Sequence, residues 1–192
     1  MSDADTTAAP RHPLQRVLGA VDAIGVAAGW IAAACLLALT LLIAAEIATR
    51  GLSRVVPGWP ATTRIAWEYS AYLMGNAFLF GAAPTLRRGG HIRVGILPQM
   101  LPPPALRALE FVATLMGLAA TAFLAYAMIR FAQTAWIRGQ VSISSGTALW
   151  IPKAGLAAGA SLFALQMAAR LVRVIAGLPP DETRDAPSAQ HG

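Results

Sequence analysis

Cysteine is almost missing from this chain. Cys35 stands alone, so no disulfide can form within it. The thiol lies inside an apolar run, where it acts as a small packing group. Charge is scarce as well. Charged residues make up 12% of the 192 positions, about half the share usual in soluble domains. His12, His91 and His191 all fall outside the long apolar runs, whereas a haem held between membrane helices needs histidines inside them. No cysteine–histidine cluster has the spacing of a metal site. No glycine-rich loop joins a strand to a helix, so nucleotide binding has no support. Neither a cofactor, a metal nor a catalytic residue is expected.

What the chain has in quantity is apolar residues, 56% of the total, blocked into long runs. A bilayer core about 30 Å thick takes roughly 20 apolar residues at about 1.5 Å rise each. At that depth no water satisfies the backbone, and unbroken runs favour helices over the alternating strands of a barrel. The expectation is an all-α integral membrane protein with four transmembrane helices, near residues 17–45, 65–85, 105–129 and 149–171. Residues 1–13 and 178–192 are polar or proline-rich and read as disordered cytoplasmic tails flanking a membrane domain at 14–177. The first apolar stretch is too long for a cleaved signal peptide and is soon followed by charge.

Between the second and third spans, Arg87, Arg88, His91 and Arg93 form a basic turn. Residues 92–101 then place Ile92, Ile96, Leu97, Met100 and Leu101 roughly on one helical face. Pro98 prevents a long helix there, so a short amphipathic segment in the interface is expected. Pro102, Pro103 and Pro104 suit the first turn of the third helix.

The net charge of +6 would suit nucleic acid, but the basic residues cluster at helix ends, where anionic lipid headgroups are the expected partner. Arg11, Arg16, Arg87, Arg88, Arg93, Arg107, Arg170, Arg173 and Arg184 outnumber Arg50, Arg54, Arg64, Arg130, Arg138 and Lys153 on the opposite side. The positive-inside rule then puts both termini in the cytoplasm. Trp59, Trp67, Trp136 and Trp150 all fall on the outer side as an interfacial belt.

Few polar groups lie at bilayer depth. Glu68, Tyr72 and Asn76, spaced by four, make one stripe on the second helix, with Gly75 beside it. Lipid penalises such a stripe, so it should face protein. That protein is either this chain's own helices or another membrane subunit; a proton relay is a third reading. Gly25 and Gly29, and Gly155 and Gly159, are pairs spaced by four that permit close helix approach, within the chain or to a partner. Glu46 and Arg50 are placed for an ion pair on one helix face. Asp22 is either a solvated helix end, paired with a neighbouring arginine, or a subunit contact.

The stretch from Glu46 to Leu97 carries a family resemblance. It reads Glu46-Ile-Ala-Thr-Arg50, Trp67-Glu68-Tyr69, Phe80-Gly-Ala-Ala83 and Arg87-Arg-Gly-Gly-His-Ile-Arg-Val94. The later Thr147-Ala-Leu-Trp-Ile-Pro152, followed by Gly155 and Gly159, looks like the same family's last span. Together these resemble the small, DctQ-like membrane subunit of tripartite ATP-independent periplasmic (TRAP) transporters. Trp67 stands where family members often carry a second acidic residue. The resemblance implies a subunit of the bacterial inner membrane that braces a large permease. The permease would take up an organic acid, a carboxylate, with sodium, after delivery by a periplasmic binding protein. On this reading Glu68, Tyr72, Gly75, Asn76, Gly155 and Gly159 are subunit-interface candidates. Arg54, Arg64 and Arg138 are candidates for docking the binding protein. Arg87, Arg88, His91, Arg93 and the four tryptophans are lipid anchors. The alternative is a stand-alone four-helix oligomeric transporter or assembly factor.

Overall fold

The computed structural model describes residues 13–63, 65–87 and 102–178. They form four helices, α1 (Pro13–Leu52), α2 (Ala66–Arg87), α3 (Pro103–Ile137) and α4 (Trp150–Ile175). No strand occurs among the described residues, only a single bridge between Val141 and Ala148. Three stretches, Arg16–Leu52, Pro104–Ile137 and Trp150–Ile175, are long and apolar enough to cross a membrane. α2 is not among them, because Glu68, Tyr69, Ser70, Tyr72 and Asn76 dilute its first half. The basic turn and amphipathic segment expected at 88–101 lie outside the described residues, as do Arg64 and most of both tails.

Two helices outrun their apolar cores. At 40 residues, α1 is about 60 Å long, and α3, at 35 residues, about 52 Å. α1 continues through Glu46 and Arg50, which pair across one turn at 3.0 Å, and past the first apolar run. α3 continues to Ile137 and then stops on a glycine. Gly139 takes φ +56°, while Gly139 N and Gln140 N donate to the carbonyls of Trp136 and Ala135. This is a Schellman end, which needs the left-handed conformation glycine adopts without strain. α4 ends the same way at Gly177, φ +68°.

α2 and α4 pack together in the middle of the layer. α1 lies against α2 and reaches α4, and α3 lies along α4. The contacts are made by small residues. Ala28 and Ala32 of α1 bury against Phe80 of α2. Leu79 of α2, Ala160 of α4 and Ala125 of α3 form a second cluster. A neighbouring backbone comes close at Gly159, where a Cβ would stand 2.8 Å from Leu79 Cβ and 3.3 Å from the Leu79 carbonyl carbon. Large apolar side chains point the other way. Trp30 is 75% exposed, Phe78 and Phe123 72%, and Ile137 80%. A water-soluble protein buries its large hydrophobes. Alanine inside and leucine, isoleucine and phenylalanine outside is the arrangement of helices packed in hydrocarbon, where close backbone contact drives association.

Candidate functional site

Polar side chains gather at the two ends of the layer. At one end Asp22 of α1 is shared by two arginines from other helices. Arg173 of α4 places its terminal nitrogen 2.8 Å from both carboxylate oxygens, and Arg87, in the last turn of α2, donates its Nε at 3.3 Å. Arg173 is only 5% exposed at its side chain and also lies 3.5 Å from the Leu18 carbonyl. Two turns back along α4, Gln166 donates to the Val21 carbonyl at 2.7 Å. It comes that close because a Cβ at Gly25 would stand 2.5 Å from its amide nitrogen. Buried charge is tolerated when it is paired and hydrogen-bonded. Here the pairing ties α1, α2 and α4 at one level.

The opposite end is built on two carboxylates. Glu46 holds Arg50 on one oxygen. On the other it accepts the Thr63 backbone N–H at 2.9 Å and the Thr63 hydroxyl at 2.7 Å, which pins the α1–α2 loop back onto α1. Glu68 accepts the Tyr72 hydroxyl at 2.7 Å, the Ser142 hydroxyl at 2.5 Å and the Ser144 hydroxyl. Tyr69 bonds to Thr147 at 2.7 Å. The α3–α4 loop therefore sits on the first turn of α2. Lys153 closes the same loop from α4, reaching Gln140 Oε1 at 3.0 Å and lying 3.8 Å from the Phe131 ring centre. Trp136 and Trp150 meet edge to face at 4.5 Å.

The stripe of Glu68, Tyr72 and Asn76 thus turns toward α4 and its preceding loop. Asn76 donates to the Tyr72 carbonyl at 2.9 Å and to the Pro152 carbonyl at 3.4 Å. Gly155 packs on Asn76, Gly75 on Leu156 and Gly159 on Leu79. Gly25 and Gly29 serve two different neighbours, Gln166 of α4 and Pro84 of α2. Trp59, Trp67 and Trp136 stay exposed near the Glu68 end, and so do Arg54 and Arg138. Arg64, Arg88, His91 and Arg93 lie outside the described residues.

Sequence reasoning singled out Asp22 but not Arg173 or Gln166 as its neighbours, nor Thr63, Ser142 and Ser144 as partners of the carboxylates. A signal for the α4 pair existed. Gln166 and Arg173 are seven residues apart, hence on one face of a helix that is otherwise mostly apolar. The loop hydroxyls carry no comparable signal. Among the described residues no group of three or more His, Cys, Asp or Glu could hold a metal ion.

A comparison with curated proteins gives no match. The family model described as "Tripartite ATP-independent periplasmic transporters, DctQ component" matches residues 39–177. The match takes in α2, α3, α4, the Glu46 and Glu68 sites, Arg87 and Arg173, and leaves out Asp22. It covers well over half of the chain, and the apolar exterior agrees with a membrane component of a transporter. The chain belongs to the DctQ family, the small membrane component of TRAP transporters.

Proposed function

We propose that this chain is a static brace for the large permease subunit of its transporter. The permease takes up an organic acid, a carboxylate, together with sodium after a periplasmic protein delivers it. The observation that carries this reading is the pair of clamps. From Glu68 to Arg87 α2 rises about 29 Å, and from Asp22 to Glu46 α1 rises about 36 Å, close to the hydrocarbon thickness of about 30 Å. The helices are tied at both faces of the membrane and packed on alanine and glycine between them. The polar groups are spent on holding this chain together, and the outward surface is apolar. That suits a rigid body for another subunit to move against.

The same spacing supports reading α2 as a fourth crossing, although its composition alone does not. At 22 residues it is about 33 Å long, with Glu68 at one clamp and Arg87 at the other. With four crossings both termini lie on one side, and the arginine excess at the Asp22 end supports that side as the cytoplasmic one. The Glu46–Glu68 end then faces outward, where Arg54, Arg64 and Arg138 contact the binding protein.

Co-purification tests the partnership. The tagged chain, expressed with its neighbouring permease gene, is expected to bring down a much larger membrane subunit. It should not transport alone in liposomes. Accumulation of an organic acid by vesicles holding only this chain would defeat the proposal. Replacing Glu68, Tyr72 and Asn76 together by leucine is expected to reduce the large subunit recovered, because the rim of the brace loses its form. Charge reversal at Arg54, Arg64 and Arg138 is expected to lower uptake without loss of the complex. Unchanged uptake would remove the outer loops from docking.

A further inference from the structure

Beside the outer clamp, α1 and α2 leave a groove of about 340 Å³ between them, at the small end of the range of roughly 300–1,000 Å³ found for ligand sites. Ile43 and Ile47 of α1 and Ala66 and Trp67 of α2 line it together with Ser70, Glu46 lies between the two isoleucines, and Arg50 stands at the end nearest the C-terminus of α1. Ile47 is 65% and Trp67 88% exposed, so the groove is open to the surroundings of the helices. The carboxylate of Glu46 is 12% exposed and fully engaged by Thr63 and Arg50. Arg50 is held by that carboxylate through Nε alone among the described bonds and stays 64% exposed. That bond orients it, and among the described residues its two terminal nitrogens have no bonded acceptor, which leaves them for one outside the chain. The forked guanidinium matches a phosphate in geometry and charge.

We infer that this groove is a binding site for a phospholipid of the adjacent leaflet, with the phosphate diester on Arg50 and acyl methylenes along Ile43, Ile47 and Trp67. Apolar walls that run from a cation at headgroup level down toward the hydrocarbon select a lipid over free phosphate. The indole of Trp67 sits at the depth where amphipathic rings are favoured. The lipid would fill the groove that residues of α1 and α2 line. This inference goes beyond the bracing role. It needs the membrane crossing of α1 but not the choice of which face is outward.

The test uses the full chain, purified from bacterial membranes in mild detergent with whatever partner it brings. It is stripped of lipid and offered phosphatidylethanolamine or phosphatidylglycerol in mixed micelles, and bound lipid is counted by native mass spectrometry. Wild type is expected to retain one lipid at a concentration at which Arg50→Gln retains about tenfold less. Ala66→Trp, which fills the groove and leaves the charge, is expected to lose it as well. Arg130→Gln, on α3 and away from the groove, is expected to behave as wild type. Equal retention by all four proteins overturns the site. So does a loss in Arg50→Gln that Ala66→Trp does not share, since that is headgroup attraction without a groove. Arg50→Lys guards against misfolding: it keeps the cation, and full retention by it with loss in Arg50→Gln supports the site. A chain that washes from membranes with carbonate would instead defeat the crossing itself.

Discussion

Replacing Asp22 by alanine removes the carboxylate that Arg87 and Arg173 share and leaves both cations in place. Arg173 is 5% exposed at its side chain, and among the described residues the acceptor left to it would be the Leu18 carbonyl, at 3.5 Å. Breaking a buried ion pair from one side costs about 3–5 kcal/mol, because the remaining charge is stranded. Asp22 itself is 23% exposed, so water screens part of the loss. The expected cost is therefore about 2–3 kcal/mol, a factor of roughly 30 to 160 in the folding equilibrium. Titration with SDS in mixed micelles, followed by circular dichroism, measures it. The discriminating variant is the double replacement Asp22→Ala with Arg173→Met. Removing the stranded cation should restore much of the stability, as it does when buried ion pairs are exchanged for apolar residues. An Asp22→Ala protein within about 0.5 kcal/mol of wild type, the scale of an exposed pair, would refute the clamp. So would a double variant less stable than the single one.

Other outcomes follow from the same geometry. Glu68→Ala removes the acceptor that holds Ser142 and Ser144. Hydrogen exchange at residues 142–147 should rise about tenfold, as for a loss of about 1.4 kcal/mol, with α4 unchanged; unchanged exchange would mean that the loop holds itself. Gly159→Leu places a side chain where Leu79 Cβ is 2.8 Å away, so α2 and α4 must separate. A loss of about 1–3 kcal/mol is expected in the SDS titration, and a wild-type midpoint would refute the close approach. Lys153→Met removes the Gln140 hydrogen bond and the contact with Phe131, for a loss of about 1 kcal/mol. Restoration by Lys153→Arg would show that the cation is what matters.

Much of the site was visible along the chain in outline. The spacing of Glu68, Tyr72 and Asn76 put them on one face, and the order of Glu46 and Arg50 gave their ion pair, because both relations are local to one helix. Their long-range partners were not visible. Ser142 is 74 residues from Glu68 and Arg173 is 151 residues from Asp22. Loop serines and helix-end arginines are common, and nothing in their own neighbourhood says which carboxylate they will meet. The small residues gave a half-signal. Gly155 and Gly159 announced a close approach, but not that Asn76 and Leu79 of α2 would be what approached.

The amino-acid sequence by itself determined the helices and the solvent. Apolar runs longer than a bilayer core must satisfy their own backbone, and glycine at 139 and 177 permits the turns that end two of them. Only the tertiary structure decided the pairing of α1 with α2 and of α4 with α3, and the meeting of three helices on one aspartate. In hydrocarbon one apolar helix face is nearly as good as another. The neighbours are therefore chosen by where small residues let backbones close and where a few distant polar groups satisfy one another.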